Sequence, residues 1–239
     1  MPAVLVAETA SSPRADLRGA LRDSSSVGLA MIPLGMAFGL LVAHAGLTWW
    51  WATAFAALIY AGSLEFLLIG LVVAAAPLAH VAVTALLVNF RHVFYALSFP
   101  LHRVRSRIGK AYSTFALTDE AYALSTGPAA QEWSGRRIVW LQVLLHLYWV
   151  SGATLGALFG ALVPFRLDGL DFALTALFVV LAIDAYRARR SVPVPALAMI
   201  CTLVSALLFP EQMLLVSLGL FTACLLASRI LLRKKDVDA

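Results

Sequence analysis

Asn89-Phe90-Arg91-His92-Val93-Phe94-Tyr95 puts an amide, a guanidinium and an imidazole inside a run, Pro77 to Pro100, that is otherwise apolar and long enough to cross a bilayer. A helix rises about 1.5 Å per residue, so Arg91 lies about 13 Å from the end of the run at Pro100. An arginine stem does not reach that far, and snorkelling to the interface does not account for it. Ionisable residues at such depth are costly and mark a partner or a substrate path. The run is one of several. The chain is 62% hydrophobic and 13% charged, with mean hydropathy +0.88. A soluble domain of 239 residues cannot bury that much apolar side chain. The expected class is an all-α polytopic membrane protein.

A window of about twenty residues picks out apolar runs at 25–44, 49–75, 78–100, 138–163, 169–186, 193–209 and 211–232. They predict about seven transmembrane helices in a single transporter domain, 24–233. A tail or surface helix precedes it at 1–23, a basic connection occupies 101–137, and a short tail closes the chain at 234–239. Arg103, Arg105, Arg107, Lys110, Arg136, Arg137, Arg187, Arg189, Arg190, Arg229, Arg233, Lys234 and Lys235 then share one face, against Arg14, Arg18, Arg22 and Arg166 on the other. The excess of basic residues on cytoplasmic loops puts the connection and the C-terminus in the cytoplasm and the N-terminus outside. The three N-terminal arginines oppose that. If they are cytoplasmic, one of the first three runs is re-entrant and the span count is even.

Helix breakers fall inside two runs: Pro33 and Gly35 in the first, Gly62-Ser63 just before Glu65 in the second. Broken helices survive in membranes where freed backbone lines a cavity or a neighbour, and transporters use them at substrate sites. Close packing through small residues is the competing account, and it suits Gly39, Gly156 and Gly160. Leu34-Gly35-Met36-Ala37-Phe38-Gly39 reads against Leu155-Gly156-Ala157-Leu158-Phe159-Gly160 at an offset of 121. That match suggests two inverted three-helix repeats, 24–100 and 138–210, plus a final helix, with breaks near the midplane.

Other classes have little support. The net charge of +5 sits in loops and tails, a pattern of orientation signals with no nucleic-acid partner implied. Met1 to Asp23 lacks the pattern of a secretory signal. Cys201 and Cys224, both in apolar runs, fit neither a disulfide framework nor a zinc site. GxxxxGK[ST], HExxH and GxSxG are absent, so ATP hydrolysis, zinc chemistry and a serine nucleophile have no basis here. No cofactor is expected, and no enzyme.

Candidate functional residues are Glu65, Asn89, Arg91, His92, Asp119, Glu120 and Asp184. Glu65 lies in the middle third of its run, where the protonated carboxyl is the cheaper form; it can carry a proton or pair structurally with Arg91. On a continuous helix Asn89 and His92 share a face and Arg91 shares another with Tyr95. The guanidinium suits a carboxylate. Thr118 before Asp119 and Glu120 reads as a helix start, with an N-cap and acids in the first turn; a re-entrant segment reaching the transport path is the alternative for 111–127. His44, His80, His102 and His146 carry no assigned role, and Asp184 reads as interfacial.

Pro33–Gly39, Tyr60-Ala61-Gly62-Ser63-Leu64-Glu65-Phe66, Arg91-His92-Val93-Phe94-Tyr95, Leu117-Thr118-Asp119-Glu120 and 171–178 stand in the order and spacing of the AzlC family, which the chain resembles over roughly residues 20–230. The resemblance implies the large subunit of a proton-driven exporter of branched-chain amino acids in the bacterial cytoplasmic membrane. It also implies a small, roughly four-span AzlD-type partner. This chain carries Glu65 where that family commonly has Gln. A zwitterion needs a cation, an acceptor and an apolar pocket. Arg91 suits the first, Glu65, Asn89 or unwound backbone near Gly62 and Ser63 the second, and Phe38, Phe66, Phe94 and Tyr95 the third. Glu65, His92, Asp119 and Glu120 are the candidates for proton coupling. The competing expectation is a structural membrane subunit whose buried charges only lock helices together.

Overall fold

A computed structural model describes residues 12–162, 179, 183 and 193–237. Arg166, the block 171–178, Asp184, Arg187, Arg189 and Arg190, with most of the run expected at 169–186, lie outside them. The described helices are α1 (Pro13–His44), α2 (Trp49–Leu58), α3 (Gly62–Val73), α4 (Leu78–Asn89), α5 (Arg91–Ser98), α6 (Arg107–Phe115), α7 (Asp119–Thr126), α8 (Gly135–Leu162), α9 (Pro193–Leu208) and α10 (Met213–Val237). The chain divides into two compact units, Met1–Glu65 with Arg91–Arg166, and Phe66–Phe90 with Leu167–Ala239. In the second, α9 packs on α10, which also touches α4. Cys201 and Cys224 are free thiols there.

The first unit is built on α1 against α8. Glycines bring the two backbones together: a Cβ at Gly39 would run into the Ala153 carbonyl, one at Gly156 into that of Met36, and one at Gly160 would stand 2.9 Å from the Ala43 methyl. Small residues allow this approach in a membrane, where packing rather than the hydrophobic effect holds helices together. Gly39, Gly156 and Gly160 therefore serve close packing. Gly35 joins them, its Cβ position 2.9 Å from the Trp149 carbonyl, and α1 stays continuous through Pro33. The break expected at Pro33–Gly35 does not form. A proline removes one rung of the helix ladder, and contact with α8 on both sides of Pro33, at Ile32 and Gly35, holds the helix through the gap.

Polar contacts fix the direction of the pair. Ser134 Oγ donates to Asp16 Oδ1 at 2.7 Å and, as N-cap of α8, accepts from the Arg137 amide at 3.1 Å. Arg137 Nε donates to Asp23 Oδ2 at 3.0 Å, with Nη2 bonded to the same oxygen. At the other end Ala43 meets Gly160. From Asp16 to Ala43 is 27 residues and from Ser134 to Gly160 is 26, so α1 and α8 run parallel in near-equal register.

Parallel packing corrects two expectations. The opening helices of two inverted repeats would be antiparallel, and these are not. The 121-residue match reflects a shared need for glycines at one level of a helix pair: Met36 meets Gly156, an offset of 120. Residues 13–23 continue α1, and Arg14, Arg18 and Arg22 end up beside Arg136, Arg137 and the basic connection rather than across the membrane from them. A membrane crossed by both helices is crossed in one direction. Two full crossings between them would leave the chain on the wrong side for α8, so one of the runs 49–75 and 78–100 stops short. Both are interrupted, at 59–61 and at Phe90. Among the described helices α1 and α8 are long and apolar enough to span, with α4 and α5 a third if the broken pair is one span.

This geometry has a direct test. In a variant with Cys201 and Cys224 replaced by Ala, single cysteines at exposed Arg18 and Lys110 are expected to react with a membrane-impermeant maleimide from the same side of sealed vesicles. Labelling from opposite sides would overturn the parallel arrangement.

Candidate functional site

The site in the first unit begins where the second apolar run breaks. α2 ends at Leu58, Tyr60 adopts a left-handed backbone (φ 50), and α3 starts at Gly62. Positive φ in a non-glycine residue costs about 1–3 kcal/mol. Burial of the Tyr60 side chain maintains it, 4.1 Å from the His146 ring and 6.2 Å from that of Phe115. The turn frees backbone donors, and Glu65 captures one: its Oε1 accepts from the Ala61 amide at 2.8 Å. The indole N–H of Trp149 donates to both carboxylate oxygens, at 3.0 and 3.2 Å. Phe38 stacks on that indole, centroids 6.1 Å apart. Glu65 is fully buried, and among the described residues no cation stands within ion-pair distance of it. Gly62 and Ser63 form the first turn of α3, with Gly62 against the Trp149 ring.

The second cluster gathers on α7. Thr118 is its N-cap, accepting from the Ala121 amide at 3.4 Å, as the sequence predicts. Arg91, at the start of α5, donates from Nε to Asp119 Oδ1 at 2.9 Å; His92 Nε2 lies 4.0 Å from the same oxygen. Tyr95 interacts with Asp119 as well and stacks on Tyr122 at 4.3 Å, whose hydroxyl bonds Ser98 Oγ at 2.8 Å. Arg91 thus pairs with Asp119, and not with Glu65. Arg91 and Tyr95 share a face of α5 as expected. Asn89 and His92 do not share a helix, because the break at Phe90 ends the helical phase and leaves Asn89 as the last residue of α4, in the second unit. Glu120 follows Asp119 in the first turn of α7.

A set of side chains on α8 joins the clusters. Gln142, fully buried, donates to the carbonyls of Ser113 and Ala116 at 2.9 and 3.0 Å, tying the α6–α7 hairpin to α8. His146 Nε2 faces the Ala56 carbonyl at 3.3 Å. A carbonyl only accepts, so Nε2 carries the proton and Nδ1 is left to accept from the Tyr112 hydroxyl at 3.1 Å. The Tyr60 ring lies 6.2 Å from that of Phe115, which brings the helix break to the end of α6. The connection is therefore no plain loop. It follows α8 as far as His146, 11 residues beyond Gly135 and about 16 Å along the axis. His146, passed over in the sequence, and Trp149 are central to the arrangement. With Gln142 they recur at helical spacing (142, 146, 149) along an otherwise apolar run, and that polar stripe is the signal that could have found them.

Trp149→Phe keeps the ring against Phe38 and removes the donor to Glu65. Loss of a buried hydrogen bond to a carboxyl is expected to lower stability by about 1–3 kcal/mol, readable as a lower melting temperature in detergent; an unchanged value would remove Trp149 as the Glu65 anchor.

The family described as AzlC protein matches residues 26–163. The chain belongs to the AzlC family. The match takes in α1 from Ser26 onward, all of α8 and both clusters. This AzlC-family chain is 32% identical over 215 residues to an uncharacterized membrane protein of Helicobacter pylori, covering 89% of this chain and 94% of the relative. It is 32% identical over 160 residues to the branched-chain amino acid transport protein AzlC of Bacillus subtilis, covering 66% of this chain and 63% of the relative. Identity to the inner membrane protein YgaZ of Escherichia coli is 28% over 216 residues, 86% and 87% of the two chains. No solved structure matches. Membership in this family and the apolar helices assign the chain to the membrane.

Proposed function

We propose that the protein is the large subunit of a secondary transporter that exports branched-chain or similarly apolar amino acids, driven by protons, together with a small four-span AzlD-type subunit. The observation that carries this reading is Glu65: a buried carboxyl at a helix break, held by two N–H donors and, among the described residues, no cation. Such a group can gain a proton, or yield its hydrogen bonds to a substrate ammonium, without stranding a buried positive charge. Arg91 receives the substrate carboxylate by exchanging Asp119 for it. Both side chains of that pair stay partly open, at 39% and 47% exposure, and exposed pairs hold by no more than about 1 kcal/mol. Phe38 and Tyr95 contribute apolar wall, Gly62 and Ser63 freed backbone, and Asn89 an amide at the break between α4 and α5. His92, Asp119 and Glu120 pass protons to and from Glu65.

The basic end of the α1–α8 pair faces the cytoplasm. Arg233, Lys234 and Lys235 favour the cytoplasmic side for the C-terminus too.

The structural alternative has an observation in its favour, since Arg91 and Glu65 each already have partners. Export by Arg91→Gln in cells that also express the small subunit decides between them. Export is expected to fall by tenfold or more with the melting temperature nearly unchanged, because the ion pair lost contributes about 1 kcal/mol at most. Wild-type export at normal protein level would leave the charges a structural role alone.

A further inference from the structure

A cavity of about 330 Å³ opens at the basic end of the first unit, between the segment that follows α5 and the end of α7. It adjoins the second cluster at Ser98, and its other lining residues belong to neither cluster. Its polar wall includes His102, Arg103, Ser125 and Gln131, and Leu97 and Phe99 form part of its apolar side. Among the described residues no acidic side chain lines it. Arg103 reaches in from a 3-10 turn, Leu101–Arg103, whose end abuts the start of α8: the Arg103 carbonyl occupies the space a Cβ on Gly135 would need. One guanidinium nitrogen, Nη1, donates to the Ala130 carbonyl at 2.7 Å. That bond fixes the fork, and no carboxylate among the described residues neutralises it. Ser125, 2% exposed, has its hydroxyl buried without a hydrogen-bond partner. A buried hydroxyl left unbonded is costly, and here it lies in the wall of a cationic cavity.

We propose that this cavity binds a phosphate group, and that the phosphate belongs to the headgroup of an anionic membrane lipid. A guanidinium held at one nitrogen still presents parallel donors that match phosphate oxygens. His102 adds a donor, and Gln131 and Ser125 complete a polar lining. The apolar side decides the source of the phosphate. Leu97 stands 81% exposed on α5 beside the opening, where an acyl chain can leave. Basic pockets on the cytoplasmic side of membrane proteins take anionic headgroups by this combination of charge and apolar exit.

The test is calorimetric titration of the purified full-length chain in neutral detergent. Probes are dihexanoyl phosphatidylglycerol, dihexanoyl phosphatidylcholine, whose choline sets a cation against Arg103, and inorganic phosphate. Saturable phosphatidylglycerol binding is expected, about tenfold tighter than phosphatidylcholine and about tenfold weaker in Arg103→Gln, the factor for one charge-assisted contact. Gln131→Glu brings a negative charge to the opening without touching the Arg103–Ala130 bond. It is expected to weaken binding similarly, and it decides the matter if Arg103→Gln fails to fold. Inorganic phosphate binding as tightly as phosphatidylglycerol, with the same dependence on Arg103, keeps the phosphate site and transfers it to a free anion. Equal binding of the two lipids, or isotherms unchanged in both variants, would overturn the proposal.

Discussion

Glu65→Gln is expected to abolish the response of amino-acid flux to a pH gradient while leaving the fold standing. The carboxylate Oε1 accepts from both the Ala61 amide and the Trp149 indole, so a glutamine whose carbonyl oxygen occupies that position keeps one acceptor for both donors. The variant loses the acidity at the break and the indole contact to Oε2. Proton transfer by a positioned side chain contributes about a hundredfold or more where it operates. Gradient-driven leucine flux should therefore fall to the level seen without a gradient, and leucine exchange at equal pH should survive. Glu65→Leu separates the structural share. It strands two buried donors at about 1–3 kcal/mol each, and is expected to lower the melting temperature where Gln does not. A Glu65→Gln protein still accelerated by the gradient would assign the proton to another group, with Asp119 and Glu120 next in line.

The second large effect concerns the helix pair. Gly39→Ala and Gly156→Ala each push a methyl into a backbone carbonyl of the facing helix, Ala153 and Met36 respectively. A carbonyl in a helix cannot rotate away, so α1 and α8 must separate along their length. Overpacking costs about 1–3 kcal/mol where side chains can adjust, and more is expected here, with loss of folded protein on detergent extraction. Two glycines serve as contrasts. At Gly28 the obstacle is the Tyr148 ring, a side chain that can swing aside, and the cost should be smaller. Nothing stands within 4 Å of a Cβ at Gly70, so Gly70→Ala should be neutral or stabilising by about 0.5–1 kcal/mol. Melting temperatures that fail to rank Gly39→Ala and Gly156→Ala below these two would contradict the close parallel packing.

Helical membrane class was legible in the sequence because apolar runs of twenty residues have few other uses. The break before Gly62-Ser63, the N-cap at Thr118 and the packing role of Gly39, Gly156 and Gly160 were legible for local reasons: each depends on neighbours within a turn or on residue size. What failed depended on distance along the chain. Arg91 finds Asp119, 28 residues away, and no pattern in either segment chooses that acid over Glu65. Direction failed because counting basic residues assumes that each apolar run crosses, and 49–75 and 78–100 are both interrupted. The three N-terminal arginines, which opposed the seven-span count, stand at the same end of the helix pair as the start of α8. Pro33 misled because a proline in a helix is judged by the rung it removes, whereas the helix is held by glycine contacts with α8, more than a hundred residues on. Trp149 and His146 were hidden by an apolar neighbourhood, although their spacing with Gln142 marks one buried face.

The most direct measurement is transport itself. The chain and its small subunit, reconstituted into proteoliposomes, should exchange labelled leucine and valine, and methionine as a further apolar side chain. An imposed pH gradient should drive net leucine movement. Exchange no faster than in protein-free vesicles for all three amino acids, with both subunits folded and incorporated, would contradict the account and leave Glu65 and Arg91 as parts of a scaffold.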